Sequence, residues 1–411
     1  MNIPIYDCII VGAGHCGLAA SYYLQLLGIK NTLILEKSTI GNSWENKTWD
    51  NFHLITPIYM NQLPKSSYSK DQFPFLSKKD WLLYLRKFTD TYNINIQENV
   101  EVKNIKENAD GLISINTEKG IFSAKSAIIS TGYYQKARYP KESRDLKNTT
   151  INQLHSSEYK NISQLLGGNV IIIGSGQSGC QIASEILKKT NKQLYISVGS
   201  YSWLPRKYQD EDITYWLNKL GFYEKELAPN DDYVKKAGAT NTCVSIDNNL
   251  LTYYNLNQLS EKGAILLGRI KKIDKSKLFF DNNLRSSLEA ANQFNITIKN
   301  LIDNYLIENN LKNNQEIEPW PQINFSSLQQ TTVQHEIDLQ EKNITNIIWC
   351  TGYTQDYSWI DSSIFDAQKL PPFCLKKNIY MLGTPWSRTA SSGLIYGGIK
   401  DAKIAADAIK E

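Results

Sequence analysis

Two glycine-rich turns, each entered from a short apolar run, constrain this chain more than any other feature. The first is Gly12-Ala-Gly14-His-Cys-Gly17 after Cys8-Ile-Ile-Val11. The second is Gly174-Ser-Gly176-Gln-Ser-Gly179 after Val170-Ile-Ile-Ile173. Alone, a G-x-G-x-x-G run says little. Placed where a buried strand turns into a helix, it has a mechanical reading. The first glycine makes the tight turn, the second lets backbone approach a pyrophosphate, and the third lets helix pack on strand. The phosphates then face free N–H groups at a helix N-terminus. Two such turns imply two dinucleotides, and electron transfer between a flavin and a nicotinamide is the simplest use for both.

Length and composition bound the rest. With 411 residues the chain is long enough for two or three domains, and 41% hydrophobic residues supply a sizeable core. The net charge of +4 is small, and no Lys/Arg-dense stretch with interleaved aromatics marks a nucleic-acid partner. No apolar run approaches a membrane span. The first strand starts within a few residues of Met1, so a cytoplasmic protein without a leader is expected. Six cysteines (Cys8, Cys16, Cys180, Cys243, Cys350, Cys374) form no C-x-x-C, and there are four histidines, so neither a dithiol loop nor a metal site is expected.

Periodicity fills in the elements. Strand 7–11, helix 16–27 and strand 32–35 make the first βαβ start, and Glu36 ends it. A carboxylate there is the expected partner of a ribose hydroxyl and repels a 2′-phosphate, which suits FAD or NAD; the alternative is a solvated strand end. A helix over 80–92 and strands at 100–105, 111–116, 120–123 and 126–129 follow, ending in Thr131-Gly132-Tyr133. The second unit has helix 177–188 and strand 193–197, but closes in Val198-Gly199-Ser200 without an acid, with Arg206-Lys207 downstream. That pattern favours NADPH, with Arg206 and Ser200 at the 2′-phosphate; the alternative is ordinary surface charge. Helices at 213–220 and 284–308 and a strand at 264–267 precede strand 344–349, whose Cys350-Thr351-Gly352-Tyr353 repeats the earlier ending. Strand 379–382 and helix 393–409 close the chain. The expected fold is α/β: two Rossmann-like, doubly wound dinucleotide-binding domains, the NADPH domain inserted into the FAD domain. The FAD domain takes residues 1–150 and 325–411, and the NADPH domain takes 151–324 with a helical insertion.

At this point the sequence resembles the class B flavin-dependent monooxygenase superfamily of flavin-containing and Baeyer–Villiger monooxygenases, and most of all the bacterial CzcO-type flavoproteins. The similarity covers nearly the whole chain. It rests on both glycine turns, Gly41-Asn-Ser-Trp44, Trp49-Asp50, Phe73-Pro74-Phe75, Gln153-Leu-His155-Ser-Ser-Glu-Tyr159, Trp349-Cys-Thr-Gly-Tyr353 and Gly383-Thr-Pro-Trp386. The family signature that ends in His155 and Tyr159 is half present: Thr149 and Ile151 stand where a phenylalanine and a glycine are usual.

The resemblance implies an NADPH- and FAD-dependent monooxygenase that uses a C4a-(hydro)peroxyflavin to put one atom of O2 into a small organic substrate of specialised metabolism. It implies no nucleic-acid or membrane partner, and a monomer or homodimer. By the same resemblance Gly12, Gly14, Gly17, Glu36 and Trp44 hold FAD, with Lys37, Thr131 and Gly132 beside them. Gly174, Gly176, Gln177, Ser178, Gly179, Ser200 and Arg206 hold NADPH, and Gly352 and Gly383 approach the flavin from the C-terminal strands. His155 is read as a structural or gating residue or a general base. Ile55 stands where relatives carry an asparagine near the flavin, and Arg388 is the candidate cation for a peroxide anion. Those two residues lean the reading toward Baeyer–Villiger chemistry. N- or S-oxygenation, an NADPH oxidase or reductase, and a flavin-binding regulatory protein are the alternatives. The aromatics Tyr208, Tyr215, Trp216, Phe222 and Tyr223 are candidates for a substrate pocket or for plain packing.

Overall fold

The computed structural model describes residues 4–66, 75–146, 150–226, 255–311, 320, 334–366 and 372–411. Phe73, Pro74, Thr149, Cys243 and the 227–254 stretch of the expected pocket region lie outside the described residues.

The chain opens with β1 (Ile5–Val11), α1 (His15–Leu26), β2 (Thr32–Leu35), α2 (Asn42–Asn46) and α3 (Lys78–Thr91). It continues through β3 (Ile96–Gln97), β4 (Val102–Glu107), β5 (Ile113–Thr117), β6 (Gly120–Ile129) and β7 (Lys136–Ala137). Next come β8 (Asn152–His155), β9 (Asn169–Ile173), α4 (Gln177–Lys189), β10 (Leu194–Ser197), β11 (Lys207–Tyr208), β12 (Glu211–Asp212) and α5 (Ile213–Lys219). Then follow α6 (Leu256–Glu261), β13 (Ile265–Leu267), β14 (Ile270–Asp274), β15 (Lys277–Phe280), α7 (Leu284–Glu308), β16 (Glu336–Asp338) and β17 (Ile344–Trp349). The last elements are β18 (Tyr353–Thr354), β19 (Cys374–Lys376), β20 (Ile379–Met381) and α8 (Ile395–Lys410).

Two mixed α/β layers result. The first sheet runs β19-β20-β6-β1-β2-β3, with β5 and β4 added on the far part of β6. The second runs β13-β10-β9-β17-β8 and is parallel throughout. Each central strand is buried on both faces, which is why it reads as an unbroken apolar run. Along β1, Cys8 and Ile10 enter one core with α1, α3 and α8, while Ile9 enters the opposite core. Along β9, Val170 and Ile172 face α4, while Ile171 and Ile173 face the other side. That alternation is the period of two a strand imposes. Helix α3 starts at Lys78 because Ser77 caps it, accepting from the Asp80 amide at 3.1 Å and donating to the Asp80 carboxylate. The 25 residues of α7 bury Leu288, Ala291, Asn295, Ile298 and Ile302, one face at helical spacing.

One placement differs from expectation. Strand 344–349 does not return to the first sheet. It lies between β9 and β8 in the second, with Ile347 opposite Ile171 and Gln153. β14, β15 and β16 form a separate three-stranded antiparallel sheet that packs in one core with β9 and β17, so the described chain from β14 to Trp349 packs with the second unit, past the expected boundary at 325. The two passages between sheets, 130–137 and 350–354, are tied together: β7 and β18 pair antiparallel, and Arg138 donates its amide to Gly352 O (3.0 Å) and its Nε to Thr351 O (2.8 Å).

Candidate active site

Strand order reverses between β1 and β6 in the first sheet and between β9 and β17 in the second. A crevice opens where neighbouring loops diverge, at the carboxyl ends of those strands. Both glycine turns sit there and are built alike. An added Cβ on Gly12 (φ +106°) would lie 2.7 Å from the Ser130 carbonyl oxygen at the end of β6. On Gly174 (φ +113°) it would lie 2.3 Å from that of Cys350 at the end of β17. On Gly17 and Gly179 it would lie 2.1 Å from the carbonyl oxygen of the turn's own first glycine. Those four glycines are required by protein atoms. The middle glycines are not: a Cβ on Gly14 or Gly176 would meet nothing within 4 Å. Open space over the middle glycine, at the start of a helix of 12 residues (α1) or 13 (α4), fits a pyrophosphate. Gln177 and Ser178 open α4 and are half-buried beside that space.

The repeated Thr-Gly-Tyr endings now have a structural meaning. Each follows the strand next to a glycine turn, 131–133 for the first turn and 351–353 for the second. Gly352 therefore belongs with the second turn, not with the C-terminal strands. Gly383, after β20, does come to the first turn. An added Cβ there would lie 3.4 Å from Cys16 Sγ and 4.0 Å from Gly132 Cα. Thr131 and Gly132 are held by Gln135, whose Nε2 donates to Gly132 O at 2.9 Å and to Thr131 Oγ1 at 3.3 Å.

At the rim of the first turn Glu36 is half-buried. Oε2 accepts from the Ala13 amide and Oε1 from the Ser38 amide, each at 2.8 Å. Each carboxylate oxygen has a second lone pair for a hydroxyl. Lys37 is committed elsewhere: it pairs with Glu101 at 2.6 Å on the exposed edge. Trp44, half-buried on α2, meets Trp81 edge-on with centroids 6.2 Å apart and packs on Phe52. Trp49 is buried in the core of the second unit, as packing requires.

Sequence reasoning passed over His15, inside the first turn. Among the described residues neither ring nitrogen has a hydrogen-bond partner, both are buried, and burial lowers the pKa to about 4. The ring tilts against Trp81, and Nε2 lies 3.6 Å from where a Cβ on Gly398 would be. A titratable residue between Gly14 and Gly17 was the signal. An unpartnered buried imidazole next to an open glycine cradle also fits a missing polar ligand.

The rim of the second turn differs from the reading above. Arg206 is not at the ribose end. It is 3% exposed and fully engaged: Nε and Nη2 donate to the two Asp212 carboxylate oxygens and Nη1 to Ile55 O, all at 2.6 Å, while its guanidinium lies 4.7 Å from the Phe75 ring centroid. It fastens the loop around Ile55 to the second unit. Ile55 thus contributes its carbonyl to a structural bond. Ser200 instead accepts from Arg269, whose Nη2 lies 2.9 Å from Ser200 Oγ.

His155 is fully buried and both nitrogens are used. Gly352 O can only accept, so Nε2 donates to it at 2.9 Å. Nδ1 accepts from the Ser157 amide at 3.2 Å and faces Ser157 Oγ at 2.9 Å. Burial lowers its pKa, partly offset by the Gly352 bond. A neutral ring with both nitrogens occupied anchors the passage between the sheets rather than shuttling protons. Arg388 is half-buried and pairs through Nε with Asp401 Oδ1 at 2.6 Å; Asp401 is fully buried on α8, and burial raises its pKa against the pull of Arg388. Of the five pocket aromatics, Tyr208 and Trp216 pack in a core with α7, Tyr208 donating to Asp303 and Trp216 Nε1 to Tyr208 O. Tyr223 accepts through its carbonyl from the Ser391 amide and Lys225 O accepts from Ala390 N, so that segment lies on the loop that follows Gly383. Among the described residues no cluster of metal-ligating side chains occurs, and no helix is long and apolar enough to cross a membrane.

Known proteins agree with this architecture. The family described as pyridine nucleotide-disulphide oxidoreductase matches residues 9–228, more than half of the chain. An oxidoreductase of Geobacillus kaustophilus described as CzcO-like is 26% identical over 405 residues, covering 97% of each chain. An Arabidopsis thaliana protein, "Probable indole-3-pyruvate monooxygenase YUCCA4", is 25% identical over 201 residues, 49% of each. A double variant of a flavin monooxygenase from Stenotrophomonas maltophilia superposes with a TM-score of 0.64 at 17% identity, over 98% of both chains. The match to CzcO-like oxidoreductases accords with the resemblance read from the motifs, and the last match shows a shared fold.

Proposed function

The chain belongs to the pyridine nucleotide-disulphide oxidoreductase family, and on that premise we propose that this enzyme is an NADPH- and FAD-dependent monooxygenase of small organic molecules. The observation that carries the reading is the pair of glycine turns, alike in backbone and each open over its middle glycine. In this reading the two sheets are Rossmann-like halves of two dinucleotide domains, the NADPH domain inserted in the FAD domain between the paired passages at β7 and β18.

When bound, FAD would accept hydride from the nicotinamide and activate O2, so that one oxygen atom passes to substrate while the other leaves as water. The chain's own residues do the rest. The amides at the start of α1 and α4 bind the two pyrophosphates. Glu36 takes a ribose hydroxyl of FAD and disfavours a 2′-phosphate there. Gly132 and Gly383 would let backbone approach the flavin, and Trp44 would help to hold it. The 223–225 segment, hydrogen-bonded to Ala390 and Ser391, covers the loop after Gly383 and excludes water. His155 and Arg206 are positioning residues that fix the passages and loops between the domains.

Within this reading the finer proposal is carbonyl-directed, Baeyer–Villiger chemistry. Arg388 pairs with Asp401 through Nε, and its Nη donors make no hydrogen bond to described residues, so they are available to developing negative charge. Oxygenation at nitrogen or sulfur is the alternative. The test is turnover under labelled O2 with a panel of ketones, amines and thioethers. Label in an ester or lactone supports the finer proposal, and label on nitrogen or sulfur selects the alternative. Hydrogen peroxide as the sole oxygen product with every substrate overturns the monooxygenase reading in favour of an NADPH oxidase.

A further inference from the structure

We infer that Arg269 and Ser200 together form the receptor for the 2′-phosphate of the nicotinamide nucleotide, a role the buried and paired Arg206 does not fill; the inference rests on the NADPH reading above.

In a parallel sheet of this kind the adenosine ribose lies beyond the end of the strand that follows the glycine-turn helix. That strand is β10, and the residues just past it are Val198, Gly199 and Ser200. In the first unit the corresponding place holds Glu36. Here no carboxylate occurs, and a guanidinium arrives from the next strand. β13 runs parallel to β10 with Leu267 opposite Ser197, so Arg269 emerges level with Gly199 and Ser200. Its Nη2 donates to Ser200 Oγ at 2.9 Å, and its Nε, Cζ and Nη2 lie 3.7–3.9 Å from where a Cβ on Gly199 would be. The guanidinium therefore lies across the rim of the turn at contact distance.

The chain path that delivers Arg269 is fixed. Its amide donates to Asn283 Oδ1 at 2.7 Å and its carbonyl accepts from the Asp281 amide at 2.8 Å. A Cβ on Gly268 would lie 1.8 Å from Asp281 O, so the backbone passes as close as glycine permits. The side chain itself is exposed, and among the described residues no carboxylate pairs with it. Asp281, whose amide bonds the Arg269 carbonyl, lies 3.7 Å from the Lys271 ammonium. An exposed guanidinium with a hydroxyl beside it, held at a strand end where ribose is read, matches a phosphate dianion: the fork supplies parallel N–H donors and Ser200 a hydroxyl donor. Arg206 shows the contrast. It is nearer to Ser200 in sequence, but its donors are consumed by Asp212 and Ile55.

The test compares binding of adenosine 2′,5′-bisphosphate and of 5′-AMP to the FAD-loaded protein by calorimetry. Wild type is expected to prefer the 2′-phosphorylated probe about tenfold to a hundredfold, the worth of one or two charge-assisted hydrogen bonds. Arg269→Gln is expected to bring the two probes within about threefold of each other while leaving 5′-AMP affinity unchanged. Ser200→Ala removes a smaller, few-fold part. Melting temperature should not move, because the side chain is exposed. A full preference retained in Arg269→Gln overturns the inference. Wild type that binds neither probe fails the nucleotide reading itself, and wild type that binds both equally fails its NADPH part.

Discussion

The two glycine turns share a backbone and differ at their rims. In both, the outer glycines are pressed against carbonyl oxygens of the protein, and the middle glycine faces open space. At the rims, Glu36 holds two backbone amides in the first unit, whereas Ser200 and Arg269 stand in the second. The shared part answers a demand of the fold and of any pyrophosphate. The differing part is where we propose that the choice of nucleotide is made. A sequence fingerprint reports the first far better than the second, because the first depends on residues two to five apart and the second on whatever the sheet brings alongside.

That division of labour can be broken with glycine substitutions, where the largest effects are expected. Gly17→Ala and Gly179→Ala place a Cβ 2.1 Å from a backbone carbonyl oxygen that no side-chain rotation can move. Each should cost more than about 3 kcal/mol, enough to prevent stable folding. Gly14→Val meets open space at φ −84°, ψ −177°, extended backbone that valine adopts. It should keep wild-type thermal unfolding within about 1 kcal/mol and lose flavin, read as loss of the yellow absorbance on purification. If Gly14→Val unfolds as Gly17→Ala does, the middle glycine is structural and the contrast between inner and outer positions fails.

A second comparison sets Arg206 against Arg269, one arginine buried and paired, the other exposed and available. Arg206→Met leaves the Asp212 carboxylate buried without its cation and frees the loop at Ile55. Removing one partner of a buried ion pair costs about 3–5 kcal/mol. Urea unfolding should show that loss, while the ratio of NADPH to NADH as reductants of the flavin should stay as in wild type. A changed ratio at unchanged stability would return Arg206 to the nucleotide site.

The legible and illegible parts of this molecule divide along the same line. Helices at 213–219 and 284–308 and strands at 32–35 and 344–349 were readable because apolar spacing and glycine stops are local signals. The partner of strand 344–349 was not. Its Thr-Gly-Tyr ending repeats that of β6, and repetition in sequence suggests one sheet where the fold uses the motif once in each. Arg206 attracted the phosphate assignment by being close to Ser200 along the chain, yet the arginine that touches Ser200 is 69 residues away. The alternation of strands carries residue 269 there, and no window of sequence displays it. The sequence offers Arg388 only as a candidate cation for a peroxide anion. A salt bridge is present, but its acid, Asp401, is buried on the closing helix.

The smallest effect tests one of the places where the turns themselves differ, the residue after the open glycine. After the open glycine the first turn has His15 and the second Gln177. Burial holds the His15 pKa at about 4, below its ordinary 6.5, so the folded chain keeps the ring neutral while the unfolded chain can protonate it. Between those two values the unfolded state binds a proton that the folded state does not. Stability should therefore fall as pH is lowered through 6.5 and level off near 4, by at most about 1.4 kcal/mol per pH unit. His155, also shifted down by burial, contributes in the same direction and must be subtracted. Urea unfolding of wild type and of His15→Gln, run in parallel from about pH 7.5 to about pH 5, isolates the difference. Wild type should lose more stability than the variant across that range, because glutamine gives the first turn the untitrating side chain the second already has. Parallel curves would mean that His15 is protonated alike in both states and that the two turns do not differ electrostatically at this position.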